Sequence, residues 1–135
     1  MEYLDVIGLL KAVQQLERNV SVSLMYSGLR LPQFRLLEVV AERGQATVTE
    51  LSEQLGITRA TASVLVNELI RSGSIAVIEN PNDRRSFHVR LTELGSNKLG
   101  VARSDLAVFR EKISRRHPPE TIRLLNELAA TMLAR

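Results

Sequence analysis

Thr47-Val48-Thr49-Glu50-Leu51-Ser52-Glu53-Gln54-Leu55-Gly56-Ile57-Thr58 decides how the rest of the chain is read. Thr47 followed three residues later by Glu50 is a capping box, which satisfies backbone amides that a helix start leaves unpaired. A short helix is expected from there, burying Val48, Leu51 and Leu55 and stopping at Gly56. Thr58 then caps a second helix, which runs to Gly73 with Ala62, Leu65, Val66, Leu69 and Ile70 on its inner side. Two helices joined across Leu55-Gly56-Ile57-Thr58 form a helix-turn-helix pattern. The glycine permits the tight turn and its apolar neighbours lock the pair.

Beyond this unit the period changes. Ser86-Phe87-His88-Val89-Arg90-Leu91 alternates polar and apolar, as a half-buried strand does, and Ile75 to Glu79 is its expected partner. Between them Asn80-Pro81-Asn82-Asp83-Arg84-Arg85 is a turn-rich tip with two arginines. A β-ribbon placed after the second helix makes the unit a winged helix. A helical bundle with an incidental hairpin leaves the position of the charged tip unexplained.

Upstream, Pro32 suits the first turn of a helix whose apolar side is Phe34, Leu36, Leu37, Val40 and Ala41, ended by Gly44. Residues from about 4 to 26 carry Val6, Leu9, Val13, Leu16, Val20 and Leu24 on one helical face. Downstream, Thr92 caps a long helix reaching about Arg116, with Leu99, Ala102, Leu106, Phe109 and Ile113 in line. Pro118 and Pro119 break it, and a last helix carries Ile122, Leu125, Leu128, Ala129 and Met132.

The long helix would span about 36 Å, more than a domain of this size covers alone. A second copy of the chain packing terminus to terminus is the economical solution. It would set two recognition helices about 34 Å apart, one turn of DNA. The alternative is a monomer whose ends fold back. The expected fold class is mainly α with a small β-wing: a winged helix-turn-helix at residues 30–92, flanked by N- and C-terminal dimerisation helices at 1–29 and 93–135.

Composition excludes several functions. The chain has 135 residues and no cysteine, which removes thiolate metal sites, cysteine nucleophiles and thiol redox switches. It has no tryptophan and 4% aromatic residues, too few for a base-stacking platform. His88 and His117 have no partner at metal-ligand spacing, and no nucleophile–base pair or Gly-rich phosphate loop is present. An enzyme is therefore not expected, nor a cofactor or metal. Val6 to Leu10 is a short apolar stretch preceded by Glu2 and Asp5, the wrong sign for a secretory signal, so a soluble cytoplasmic protein without membrane contact is expected. The net charge is +3, with 15 arginines among 18 basic residues. Residues 96–135 hold eight basic groups against four acidic ones, so the excess is concentrated away from the groove-facing unit.

The chain resembles MarR-type transcriptional regulators over nearly its whole length. The resemblance is carried by Leu31-Pro32-Gln33-Phe34, by Thr49 to Ile57, and by Asp83-Arg84-Arg85-Ser86 running into Leu91-Thr92-Glu93-Leu94-Gly95, the most specific of these stretches. It implies a homodimer on a pseudo-palindromic operator, and effector control in many members. Three positions depart from the family pattern. Arg30 stands where a threonine or serine often caps the helix, Val64 follows Thr61-Ala62-Ser63 where an arginine is frequent, and Ala76-Val77 replaces a Glu-Arg pair at the start of the wing.

Arg59, Ala60, Thr61, Ser63, Val64 and Asn67 fall off the buried stripe of the second helix and would face the major groove. Arg59 can pair with guanine or hold a phosphate, Asn67 can read adenine, and Thr61 or Ser63 can bond either a base or a phosphate. Val64 either touches a thymine methyl or widens the core stripe. Arg85 is the strongest single candidate, an arginine that reads minor-groove width and potential from the wing. By the resemblance Asp83 would orient it, while Arg84 contacts phosphate. Arg30, Arg35, Arg71 and Arg90 flank the unit as further phosphate candidates or plain surface charges.

The expected function is a sequence-specific double-stranded DNA-binding regulator, a homodimeric repressor relieved by a small-molecule effector. The competing reading is a winged-helix protein-interaction module that has lost operator reading, motivated by Val64 and Val77.

Overall fold

The computed structural model describes residues 1–79 and 87–134. The chain runs α1 (Val6–Ser23), a 3-10 turn (Met25–Ser27), α2 (Leu31–Arg43), β1 (Ala46–Thr47), α3 (Val48–Leu55), α4 (Arg59–Arg71), β2 (Ile75–Ile78), β3 (His88–Leu91), α5 (Glu93–Arg115) and α6 (Pro119–Leu133). The mainly helical chain with a small antiparallel sheet is the expected class, and the helix-turn-helix falls where the caps placed it.

Two local details differ from expectation. The first helix stops at Ser23, not near residue 26, because Ser23 Oγ turns back onto the Val20 carbonyl and Ser27 Oγ onto that of Leu24. Side-chain hydroxyls bonded this way compete with the helix ladder and tighten its last turn. The sheet also has a third strand. β3 pairs with β2 through Ile75↔Leu91 to Ile78↔His88, and on its other edge with β1 through Ala46↔Val89 and Thr47↔His88.

The core lies between α2, α3, α4, the sheet and the start of α5. Leu36, Leu37 and Val40 from α2 meet Leu51, Val66, Leu69, Ile75 and Val89, all essentially solvent-free. Leu99 and Ala102 on the first half of α5 belong to the same cluster. Burying one such leucine contributes ~1.5–3 kcal/mol, so this interior carries the stability of the winged unit. Arg103 of α5 reaches Glu38 of α2 at 2.8 Å and pins the helices together from outside, and this hydrogen bond raises the arginine's pKa further.

The terminal helices are built differently. Neither α1 nor α6 has a buried residue. Val6, Val13 and Leu16 of α1 and Leu125, Leu128 and Met132 of α6 remain exposed despite their helical alignment. The stripes read from the sequence are present, and within one chain they are largely uncovered. Among the described residues no helix is long and apolar enough to cross a membrane.

Candidate nucleic-acid interface

The reading unit is assembled from two capped helices. Thr47 Oγ1 accepts from the Glu50 amide at 3.1 Å, and Glu50 Oε1 accepts from the Thr47 amide at 3.0 Å. The Thr47 amide, with help from Arg43, holds the Glu50 carboxyl below the usual carboxylate range. Gly56 takes a left-handed φ of 65°, which a side chain would strain, and the Ile57 amide closes back on the Ser52 carbonyl. One residue later Thr58 Oγ1 accepts from the Thr61 amide and starts α4. The turn holds α3 and α4 at a fixed angle with almost no spare chain.

α4 buries Ala62, Leu65, Val66 and Leu69. Its other side presents Arg59, Ala60, Thr61, Val64 and Asn67 exposed and Ser63 half-buried. The helix thus brings all six expected residues off the core, and they separate into two flanks. Arg59, Ala60, Ser63 and Asn67 line one groove together with Val48, Val66 and Phe87, a cleft of about 380 Å³ between the start of α3, the outer side of α4 and the base of the wing. Thr61 lies on the opposite flank, in a cleft of about 350 Å³ with Glu17 and Ser21 of α1 and Pro32 and Arg35 of α2. Its Oγ1 also accepts from the Thr58 hydroxyl at 3.0 Å.

Val64 is 59% exposed, so it is not part of the core stripe and stands as an apolar side chain on the outward face. Val77, on the wing stem, is likewise exposed. Among the described residues Arg59 has no ion-pair partner, so its guanidinium is not committed within the described part of the chain. Arg30 is otherwise engaged: its guanidinium sits 2.7 Å from both Glu68 oxygens and ties the start of α2 to α4. Its role is that of a strut. Only its amide serves as a cap, donating to Gln33 Oε1 at 3.0 Å, because a guanidinium has no acceptor to offer. Asp83, Arg84 and Arg85, the expected wing-tip set, lie outside the described residues.

Phe87 and Val48 were not among the expected residues. Phe87 could have been found from its place just before the wing strand, in phase with Val89 and Leu91. No metal-binding cluster of His, Asp or Glu occurs among the described residues.

Comparison with known proteins bears on the whole chain. Residues 27–86 match the family model described as MarR family. An uncharacterized HTH-type transcriptional regulator of Bacillus subtilis, YpoP, is 26% identical over 95 residues, covering 70% of this chain and 67% of that protein. The HTH-type transcriptional repressor IacR of Pseudomonas putida is 27% identical over 82 residues, covering 61% of this chain and 49% of that protein. Among solved structures, an Escherichia coli MarR mutant complexed with operator DNA superposes with a TM-score of 0.84 at 20% identity, covering 96% of this chain and 95% of that one. The Mycobacterium tuberculosis regulator MosR in complex with DNA gives 0.74 at 23% identity, covering 96% of each chain. Residues 27–86 thus match the MarR family, the proteins aligned to the chain in sequence are HTH-type transcriptional regulators, and the fold over nearly the full length is that of the MarR winged helix.

Proposed function

We propose that the protein works as a homodimer that binds a pseudo-palindromic site in double-stranded DNA and represses transcription from it. The observation that carries this is the exposed face of α4, where Arg59, Ser63 and Asn67 converge on one groove beside the wing stem. Asparagine and arginine at those positions are the side chains whose donor and acceptor patterns match adenine and guanine edges. The resemblance adds Arg84 and Arg85, oriented by Asp83, as the wing's contacts.

The partner copy is argued from the terminal helices. The exposed apolar faces of α1 and α6 need a cover, and residues 1–29 and 93–135 supply matching faces on a second chain. An effector would act from the cleft that holds Glu17, Arg35 and Thr61, since it touches α1, α2 and α4 together. A ligand there shifts DNA affinity only by as much as it prefers one arrangement of those helices over another.

Selection of bound sequences from a random DNA pool tests the reading. The expected product is an inverted repeat with half-sites about 10 base pairs apart. Failure to enrich any sequence refutes operator reading. The exposed Val64 and Val77 favour the second reading, a protein-interaction module. That module would show little salt dependence of DNA binding, whereas groove binding weakens steeply with salt through counterion release.

A further inference from the structure

Leu91-Thr92-Glu93-Leu94-Gly95, the most family-specific stretch of the described sequence, touches neither groove of the reading unit. It sits instead where three elements meet: the chain leaving α4, the end of β3 and the start of α5. α4 ends at Arg71 with Ser72 as its cap, and Gly73 follows with a left-handed φ of 76°. Thr92 then takes hold of this turn at two places. Its hydroxyl donates to the Gly73 carbonyl at 2.5 Å, and its amide donates to the Ser74 carbonyl at 3.1 Å. The same hydroxyl accepts from the Gly95 amide at 3.0 Å and so caps α5.

Gly95 makes the close approach possible. A Cβ added there would lie 1.9 Å from the Ser74 carbonyl oxygen and 2.8 Å from its carbon. Both are backbone atoms, so no side-chain rotation relieves the overlap. The same joint is closed from within by Ser74, fully buried, whose hydroxyl meets that of Ser72 at 2.9 Å. Next along, Ile75 pairs with Leu91. Every residue from 72 to 75 is therefore fixed to Leu91, Thr92 or Gly95, or to a neighbour that is.

We infer that Thr92 and Gly95 are positioning residues that fix the angle between the recognition helix and the long helix α5, so that α4 and α5 turn as one rigid piece. The consequence for DNA rests on the proposed dimeric reading; the joint itself does not. α5 is long, so small errors at the joint grow along it. A tilt of roughly 5° would displace the far end of a helix of about 34 Å by about 3 Å. In a dimer whose second copy packs on the terminal helices, that error would appear as a changed distance between the two recognition helices.

The chain has no cysteine, so paired spin labels can be placed at will. Labels on Arg71→Cys and Arg110→Cys, both on exposed positions of α4 and α5, report the angle within one chain when labelled protein is diluted into unlabelled. Gly95→Ala should shift the mean distance by several ångströms. Thr92→Val should broaden the distribution, and Thr92→Ser should restore it by returning the hydroxyl. Gly100→Ala, on the same helix with open space around it, should leave the distance unchanged. On the selected operator, Gly95→Ala should move the preferred half-site spacing while keeping affinity for a single half-site, which general destabilisation would not do. Thr92→Val decides the matter if Gly95→Ala does not fold. Wild-type distance distributions in both variants overturn the inference. Wild-type protein that binds no duplex refutes the proposed function, while the label distances still decide the joint.

Discussion

Replacing Leu125 and Leu128 on α6 with alanine should separate the two copies without harming the winged unit. In the single chain Leu125 is 54% exposed and Leu128 38% exposed, and α6 buries nothing. Full burial of a leucine contributes ~1.5–3 kcal/mol, so covering these two exposed fractions, which sum to nearly one side chain, gives about 2 kcal/mol per protomer. Twofold symmetry counts each substitution twice, about 4 kcal/mol in the dimer. At 1.4 kcal/mol per decade, the dissociation constant rises roughly a thousandfold. Sedimentation equilibrium across a dilution series reads this directly, because the monomer mass is 15.1 kDa. Wild-type protein should hold at twice that mass while the variant falls toward it. The thermal melt of the winged unit should move little, since neither leucine belongs to its core. A wild-type mass near 15.1 kDa, or an unchanged dissociation constant in the variant, would refute the assignment of these faces to a second copy.

Four further outcomes are expected. Asn67→Ala should cost about 1–3 kcal/mol and relax preference at one position in each half-site, read by competition binding with single-base operator variants. Arg85→Ala should weaken operator binding strongly at fixed salt, and equal affinity in a titration at matched ionic strength removes the wing from the interface. Thr47→Ala should destabilise the fold by about 1 kcal/mol through loss of the α3 cap, measured by urea denaturation. Glu50 gives this region a pH signature. Its carboxyl titrates lower in the fold than in the unfolded chain, so its contribution is present above the ordinary carboxylate pKa and is lost as pH falls through the depressed value. The stability gap between wild type and Glu50→Gln should therefore be widest near neutral pH and close in acid. A gap that stays constant with pH removes the charge from the cap.

What the sequence made legible was what local chemistry decides. Thr47 with Glu50, and Thr58 with Thr61, bond across three residues, so both helix starts of the reading unit could be placed from spacing alone. The buried stripe of α4 followed from its period. The missed features depend on residues far apart in the chain. β1 is two residues long, too short for any period, and exists because Ala46 and Thr47 meet Val89 and His88. The sequence leaves Arg30 open between phosphate contact and plain surface charge, because its ion-pair partner Glu68 lies 38 positions on. Thr61 seemed to share a face with Arg59, but which flank it joins depends on where α1 and α2 lie. The Leu-Thr-x-x-Gly stretch was recognisable as a motif, while its reason is a carbonyl more than twenty residues upstream of Gly95, on Ser74.

The short strand β1 has a consequence for motion. Thr47 belongs at once to the sheet, where it faces His88, and to the cap of α3, where it exchanges hydrogen bonds with Glu50. No linker residue separates these duties. A change in the pitch of the wing stem that unzips Thr47 from β3 must therefore also fray the first turn of the helix-turn-helix. The slowly exchanging amides of that turn would act as a gauge of wing motion: deuterium uptake at Glu50 should rise and fall in step with uptake along β3.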